Sequence, residues 1–413
     1  MTYDASRVID DLRALADLTG GPGGARRLCW TDEWVKARGF LRDRLAELPV
    51  TVDVDEAGNL WAVLAGERPE TVVVGSHVDS VPNGGWLDGA LGVMAALEVL
   101  RQVAAAGRPP VTVALVDWAD EEGARFGRSL FGSSAVAGTL DPDAVRDLVD
   151  AGGQRLEDVV REHGVELDRA AEAGSRLAHV RAYLELHIEQ GPVLEREGLA
   201  VGTVLGTVGV ERHRLVFTGQ AAHAGSTPIN SRRDSFLAAA QFALDLREVA
   251  LAHDGVCTVG DVRCEPGVVT AVPGRTTLLV DQRQLDADEL AAMLADLREA
   301  AESAAEAEDC ELTIENLWRI EPIPFDAGLI AAATDACRAV AGSDRQLPSG
   351  PLHDAAELAR RVPTVMIFAS STNGLSHAKE EDTPIEHLEL AARAFGLTAR
   401  TAIDALALAL PIS

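Results

Sequence analysis

Two stretches of this chain, TVVVGSHVDSV and VTVALVDWADEEGA, begin as unbroken β-branched runs and end in polar residues, as strands buried on both faces do. Between them DGALGVMAALEVLRQVAAAG has the apolar spacing of a helix. Strand, helix and strand in that order make a βαβ unit, which commits the chain to a parallel sheet covered by helices. Ligands of such sheets gather beyond the carboxyl ends of the strands. His77 and the pair Glu121 and Glu122 fall at two of those ends.

The same periodicities extend along the chain. SRVIDDLRALADL and TDEWVKARGFLRDRLAEL read as helices, the second with Thr31 as its N-cap. After about Gly206 the pattern changes: strand ERHRLVFTGQ, helix DSFLAAAQFALDLREVAL, strands GVCTVGDVRC and RTTLLVDQRQ, helix DADELAAMLADLREAAESAAEAE, and strand CELTIENLW. That β-α-β-β-α-β order is a unit able to stand as its own domain. Past Pro322 the helix–strand alternation resumes with AGLIAAATDACRAVAG and VPTVMIFASS, and His377 follows that last strand. The expected fold class is α/β, one domain over residues 1–208 and 322–413, interrupted by a smaller α+β domain over 209–321.

A chain of 413 residues, 47% hydrophobic, has material for a large core and more than one domain. Its formal charge of −28 is spread along the length, which repels phosphate backbones and anionic lipid and so argues against nucleic acid and membrane partners. The N-terminal MTYDASRVIDDLRALADLTG has acids where an export signal has a basic start, so a cytoplasmic location is expected. Five cysteines, Cys29, Cys257, Cys264, Cys310 and Cys337, include no close CxxC pair and read as core thiols.

Five side chains then stand in contexts that suit metal ligation: His77, Asp88, Glu122, His187 and His377, with Glu121 as a spare carboxylate. Three imidazoles and two carboxylates can hold two divalent cations if one carboxylate bridges. His77 and Asp79, two apart on a strand end, share a face, so the acid can orient the imidazole. In PNGGWLDGALG, Gly84 and Gly85 allow a tight return of Asp88 toward the same strand end, where it can also cap the following helix. Adjacent Glu121 and Glu122 point in different directions on extended backbone, so one can bind metal while the other faces water. His187, in YLELHIEQGPVLE, shares a strand face with Glu185 and Glu189. Each motif alone has a plainer reading: a satisfied polar histidine, a helix cap, an exposed acidic turn.

Together, GSHVDSVPNGGWLDGALG, DWADEEGARFGRSLFGSSAVAG, LELHIEQGPVLE, GQAAHAGSTPINSRRDS, PSGPLHDAAELA and FASSTNGLSHAKEEDT resemble the amidase (hydantoinase/carbamoylase) branch of the di-metal aminoacylase and carboxypeptidase superfamily, over nearly the whole chain. That branch holds N-carbamoyl-L-amino-acid hydrolases, allantoate amidohydrolases and ureidopropionases. HIEQGP is the most telling segment, because the resemblance assigns a histidine ligand there to the amidase branch.

The resemblance implies a discontinuous di-metal catalytic domain with a central mixed sheet flanked by helices, and an inserted dimerisation or lid domain. It implies that His77 and His187 bind one cation, Glu122 and His377 the other, that Asp88 bridges, and that Glu121 is the general base. The cations expected are zinc foremost, with manganese, cobalt or nickel also suited to imidazole and carboxylate ligands. It further implies that His223 reaches from one subunit of a homodimer into its partner's site and polarises the substrate carbonyl. Gln190 resembles a substrate-contacting amide, and Arg283 resembles a guanidinium that clamps a substrate carboxylate, the plainer reading being an ion pair with Asp281. The run Arg232, Arg233 and Asp234 reads as a structural ion pair leading into a helix.

Three departures bear on substrate. TAVPG places Thr270 where relatives carry an asparagine, SGPLHDA places Pro351 and Leu352 where relatives carry small residues, with Gly350 kept as a backbone contact, and Trp86 stands beside the metal loop. The expected reaction is hydrolysis of the carbamoyl C–N bond of an N-carbamoyl-L-amino acid or related ureido acid, including allantoate or ureidopropionate. A metallopeptidase or deacylase, and a binding protein without turnover, are the other classes.

Overall fold

The computed structural model describes residues 3–409; Met1, Thr2 and 410–413, which the expected domain ranges include, lie outside the described residues. Helix α1 (Ala5–Thr19) buries Val8, Ile9, Leu12 and Leu15, a spacing that puts all four on one side, and α2 (Asp32–Leu45) starts at Thr31, whose side chain accepts from the Trp34 N–H. The chain continues through β1 (Thr51–Val54), β2 (Leu60–Leu64), β3 (Arg68–His77), α3 (Ala90–Ala105), β4 (Val111–Trp118), α4 (Phe131–Ala137), β5 (Val180–Ile188) and β6 (Val201–Thr207). Next come β7 (Gly209–Thr218), α5 (Ser235–Ala252), β8 (Val256–Glu265), β9 (Arg275–Gln284), α6 (Ala287–Ala307) and β10 (Glu311–Ile320). It closes with α7 (Ala327–Ala341), β11 (Gln346–Ser349), α8 (Asp354–Ala359), β12 (Thr364–Ala369) and α9 (Ile385–Leu408).

Two compact units result, one made of the chain up to Leu205 and from Phe325 onward, the other of Gly206–Pro324. In the first, the sheet order is β6-β12-β5-β3-β4-β2-β1, with β11 paired to β6. Strands β12, β5, β3 and β4 are mutually parallel, and antiparallel strands complete both flanks, so the sheet is mixed as expected. β12 is buried along its whole length and the last six residues of β3 are buried too, which explains the unbroken apolar runs. Helices α3 and α9 pack against these strands. The buried pair of Arg38 and Asp117 (2.7 Å) ties α2 to the end of β4, and Asp117 also accepts from the Val78 N–H just past β3.

The second unit is an antiparallel sheet, β8-β9-β7-β10, with α5 and α6 packed on it. Its core joins Leu215, Phe217, Phe242, Leu246, Leu278, Val280 and Leu297. The element order β7-α5-β8-β9-α6-β10 is the expected one. Asp234 corrects the expectation for its segment: it makes no ion pair with its neighbouring arginines but caps α5, accepting from the Phe236 and Leu237 N–H groups, while Arg233 turns to Asp309. The five cysteines are free thiols, Cys29 and Cys337 buried. Among the described residues no helix is long and apolar enough to cross a membrane.

Candidate metal centre

Four adjacent parallel strands end side by side, and each end delivers a candidate ligand. His77 closes β3 and pairs in register with Trp118 at the end of β4, three residues before Glu121. His187 stands one residue from the end of β5, opposite Phe368 of β12, and His377 lies in the loop after β12. Asp88 sits on the return from β3 to α3. That return needs Gly89, held at φ +63°, because a Cβ there would come within 2.3 Å of the His77 ring.

The ligand atoms fall into two groups that share Asp88. One is His77, Asp88 and His187, the other Asp88, Glu122 and His377, and within each group the atoms lie within 4.8 Å of one another. Asp88 Oδ1 is 3.6 Å from His77 Nε2 and 3.1 Å from His187 Nε2, while its Oδ2 is 3.4 Å from His377 Nε2. Glu122 completes the second group, its Oε2 3.3 Å from His377 Nε2. All but His377, whose side chain is half exposed, are nearly covered.

The imidazoles are set up as ligands. His77 Nδ1 faces the Asp79 carbonyl at 3.2 Å and His187 Nδ1 the Ile188 carbonyl at 2.9 Å. A carbonyl only accepts, so Nδ1 carries the proton in both rings and Nε2 presents a lone pair. Both Nε2 atoms are buried with no hydrogen-bond partner, yet both face Asp88. Lone pairs turned toward a carboxylate call for positive charge between them. The titration shifts state the same need: burial, then Asp88, pushes Glu122 up to about 7, burial raises Glu121, and burial lowers the His77 imidazole but Glu121, Asp79 and Asp88 outweigh it and raise it. The donor set, imidazole nitrogens and carboxylate oxygens around a shared acid, fits two divalent cations.

Asp79 orients His77 as its sequence reading expects, its Oδ1 lying 3.5 Å from His77 Nδ1, and it also does more. The Asp79 carbonyl and Oδ1 both face His77 Nδ1, at 3.2 and 3.5 Å, and the carboxylate accepts from the Glu121 and Glu122 N–H groups (3.4 and 3.2 Å) and so fixes the turn that carries both acids. Asp88 is not a helix cap: Gly89 occupies that position, and Asp88 Oδ2 accepts from Gln190 Nε2 (2.8 Å) and Ser376 Oγ (2.9 Å). Glu121 and Glu122 diverge, but from a bent turn after Asp120 (φ 57°), not from an extended strand. Glu121 Oε2 lies 3.6 Å from His77 Nε2 and belongs to neither ligand group.

Residues 73–401 match peptidase family M20/M25/M40. An N-carbamoyl-L-amino acid amidohydrolase of Geobacillus stearothermophilus is 38% identical over 365 residues, covering 87% of this chain and 88% of that protein. An allantoate amidohydrolase of Escherichia coli is 36% identical over 394 residues, 94% of this chain and 95% of that one. The crystal structure of a hydantoinase/carbamoylase family amidase from Burkholderia ambifaria superposes with a TM-score of 0.86 at 34% identity, over 97% of this chain and 98% of that one. The chain belongs to peptidase family M20/M25/M40.

This M20 chain is a hydrolase, and it carries two groups each able to hold a metal ion. Its other candidate residues are placed as follows. Gln190, at φ 56°, sits at the centre on Asp88. Gly350 is exposed beyond β11. His223, on the inserted unit, is exposed, and its Nδ1 accepts from the Gly225 and Ser226 N–H groups, which leaves the proton on Nε2. Thr270 is exposed and its carbonyl accepts from the Ala224 N–H. Arg283 donates to both oxygens of Asp281 (2.8 and 3.4 Å), the ordinary ion pair. Trp86 donates to Asp382 (3.3 Å).

Sequence reasoning missed a supporting layer in this M20 centre. Glu381, 2% exposed, accepts from the Leu87 and Asp88 N–H groups and so holds the Asp88 loop from behind, and its Oε2 is 2.9 Å from Ser376 Oγ, whose one proton it shares with Asp88. It stands in a run, KEED, that reads as solvated surface; the only cue was its place four residues past His377. His353 is buried with its ring 4.3 Å from that of His187, and burial drives its pKa well below the usual histidine range.

Proposed function

We propose that this protein is a cytoplasmic, homodimeric, two-metal amidohydrolase that cleaves the carbamoyl C–N bond of an N-carbamoyl-L-amino acid or a related ureido acid such as allantoate or ureidopropionate. The observation that carries the metal reading is the shared carboxylate Asp88, with one oxygen toward His77 and His187 and the other toward His377 beside Glu122. The relatives named as N-carbamoyl-L-amino acid and allantoate amidohydrolases support the substrate class.

Two divalent cations, zinc foremost, would polarise the scissile carbonyl and acidify a water there. Glu121, poised beside His77 and outside both ligand groups, then accepts the proton of the attacking water and returns it to the leaving nitrogen. Asp79 keeps Glu121 in place through its backbone N–H. A carbamoyl substrate gives ammonia, carbon dioxide and the free amine. We assign His223, with its proton on Nε2, to donate to the carbonyl oxygen as charge develops, from the partner of a dimer. Arg283 is assigned to the substrate carboxylate, which would take it from Asp281, with Gln190, Thr270 and Gly350 as further contacts.

Support for the dimer comes from the inserted unit. On α5, Leu237, Leu244 and Leu251 recur every seven residues and are 48%, 62% and 66% exposed, and β8 is an open sheet edge with Val256 and Val262 exposed. The deciding experiment is an ammonia-release screen of protein reconstituted with zinc, manganese, cobalt or nickel against carbamoyl amino acids, allantoate and ureidopropionate, beside dipeptides. Turnover of a ureido acid and none of the dipeptides is expected; turnover of dipeptides alone would refute the proposal.

A further inference from the structure

Arg27 is a fully buried arginine. Its Nε donates to the Val78 carbonyl (2.7 Å), but Nη1 and Nη2 are both buried without a hydrogen-bond partner. Burying a guanidinium with unmatched N–H groups is costly unless opposite charge stands close. Burial lowers its pKa, and the groups that oppose that effect are Asp79, Asp88, Glu381 and Glu122, in that order. The segment before it is laced to the loop between His77 and Asp88: the Ala25 N–H donates to Gly84, the Asn83 N–H to Ala25, the Ser80 N–H to the Arg27 carbonyl, and the Arg27 N–H to Ser80 Oγ. The side chain therefore sits behind the candidate centre, on the loop that shapes it.

The charges explain why a cation belongs there. Of the four carboxylates that act on Arg27, Asp88 and Glu122 belong to the ligand groups while Asp79 and Glu381 belong to neither, so two negative charges beside the centre are left for a cation other than a metal to offset. Asp79 and Glu381 are the two that bind backbone N–H groups in place of metal. We infer that Arg27 is a positioning residue whose buried charge balances Asp79 and Glu381 and, by opposing the cations, sets how tightly the centre holds them. This rests on the two-metal reading above.

Two roles of Arg27 predict opposite results. If it only clamps the loop, any replacement loosens the ligands and weakens metal binding. If its charge sets the affinity, a neutral replacement removes a repulsion from each dication and binding tightens, while lysine, which keeps the charge and loses the fork, leaves it nearly unchanged. The test titrates Zn²⁺ into metal-free wild type, Arg27→Gln and Arg27→Lys against a chromophoric chelator, and follows thermal unfolding with and without Zn²⁺. For Arg27→Gln the expected result is a Kd at least ~tenfold lower, from a unit charge acting on a dication at an effective dielectric near ~20. Its metal-free form should melt lower and gain more on loading than wild type, and Arg27→Lys should bind within about threefold of wild type, a charge-conserving pair needing little correction.

Should metal-free Arg27→Gln not fold, zinc release from the loaded protein into excess chelator replaces the titration, and slower release than wild type is expected. The inference is overturned if Arg27→Gln binds or retains zinc no better than wild type, or if Arg27→Lys behaves like Arg27→Gln. Failure of the metal reading is separable: wild type would then take up fewer than two cations per chain, before any variant is compared.

Discussion

Glu121→Gln is the sharpest single perturbation of the proposed chemistry. Glutamine keeps the volume of a side chain that is only 9% exposed and removes its capacity to accept a proton. Because Glu121 is in neither ligand group, both sets of ligands stay intact. Loss of a positioned general base costs a hundred- to ten-thousandfold in kcat, about 3–5 kcal/mol of barrier at about 1.4 kcal/mol per tenfold. KM should move little. The same substitution should stabilise the metal-free protein at neutral pH: burial raises the Glu121 pKa, so its contribution is fully present below the ordinary glutamate value and lost as pH climbs through the raised one. The assay is ammonia release at saturating substrate, with metal content by elemental analysis and unfolding in chelator. A fully metallated variant that keeps more than about a tenth of wild-type kcat, too small a loss for a missing base, would refute the assignment.

Further outcomes follow from the same geometry. Glu122, at about 7 against an ordinary 4.5, should cost the metal-free protein roughly 3 kcal/mol as pH rises from below 4.5 to above 7, at about 1.4 kcal/mol per pH unit; urea titrations in chelator should show that fall in wild type and less of it in Glu122→Gln. Gly89→Ala places a methyl against the His77 ring and should weaken zinc uptake, on the order of tenfold or more as for groups that orient ligands, read by chelator competition. Arg38→Met strands the buried Asp117 carboxylate and should destabilise by about 3–5 kcal/mol in denaturant titration. Leu244→Asp should turn a dimer into monomers in sedimentation while leaving the fold's circular dichroism unchanged.

The sequence made the sheet and the ligands readable for one reason: both come from the same local signal. Short β-branched runs bounded by polar residues read as central strands, and His77, His187 and the Glu121 turn fall at or just past the ends of their strands. Asp88 needed only a glycine-rich return. Glu381, Asp79 and Arg27 were harder, because their roles depend on which backbone N–H or carbonyl the fold brings against them, over separations as long as the 293 residues between Asp88 and Glu381. A spacing rule carries no such information. For Arg283 both readings came from the residues alone: the ion pair with Asp281, two residues away on the same strand, is present, and the clamp on a substrate carboxylate stands as a proposal.

Where the chain leaves for the second unit and returns from it, the Phe325 N–H donates to the Leu205 carbonyl at 2.9 Å, and Gly206 and Thr207 pair antiparallel with Pro324 and Ile323. A detour of more than a hundred residues thus begins and finishes at one doorway, and the pairing of residues 201–204 with 366–369 lies wholly outside it. Splicing Leu205 to Phe325 through a short glycine turn should yield a shortened protein that folds and loads cations, separating the hydrolytic machinery from whatever the excised segment adds to recognition.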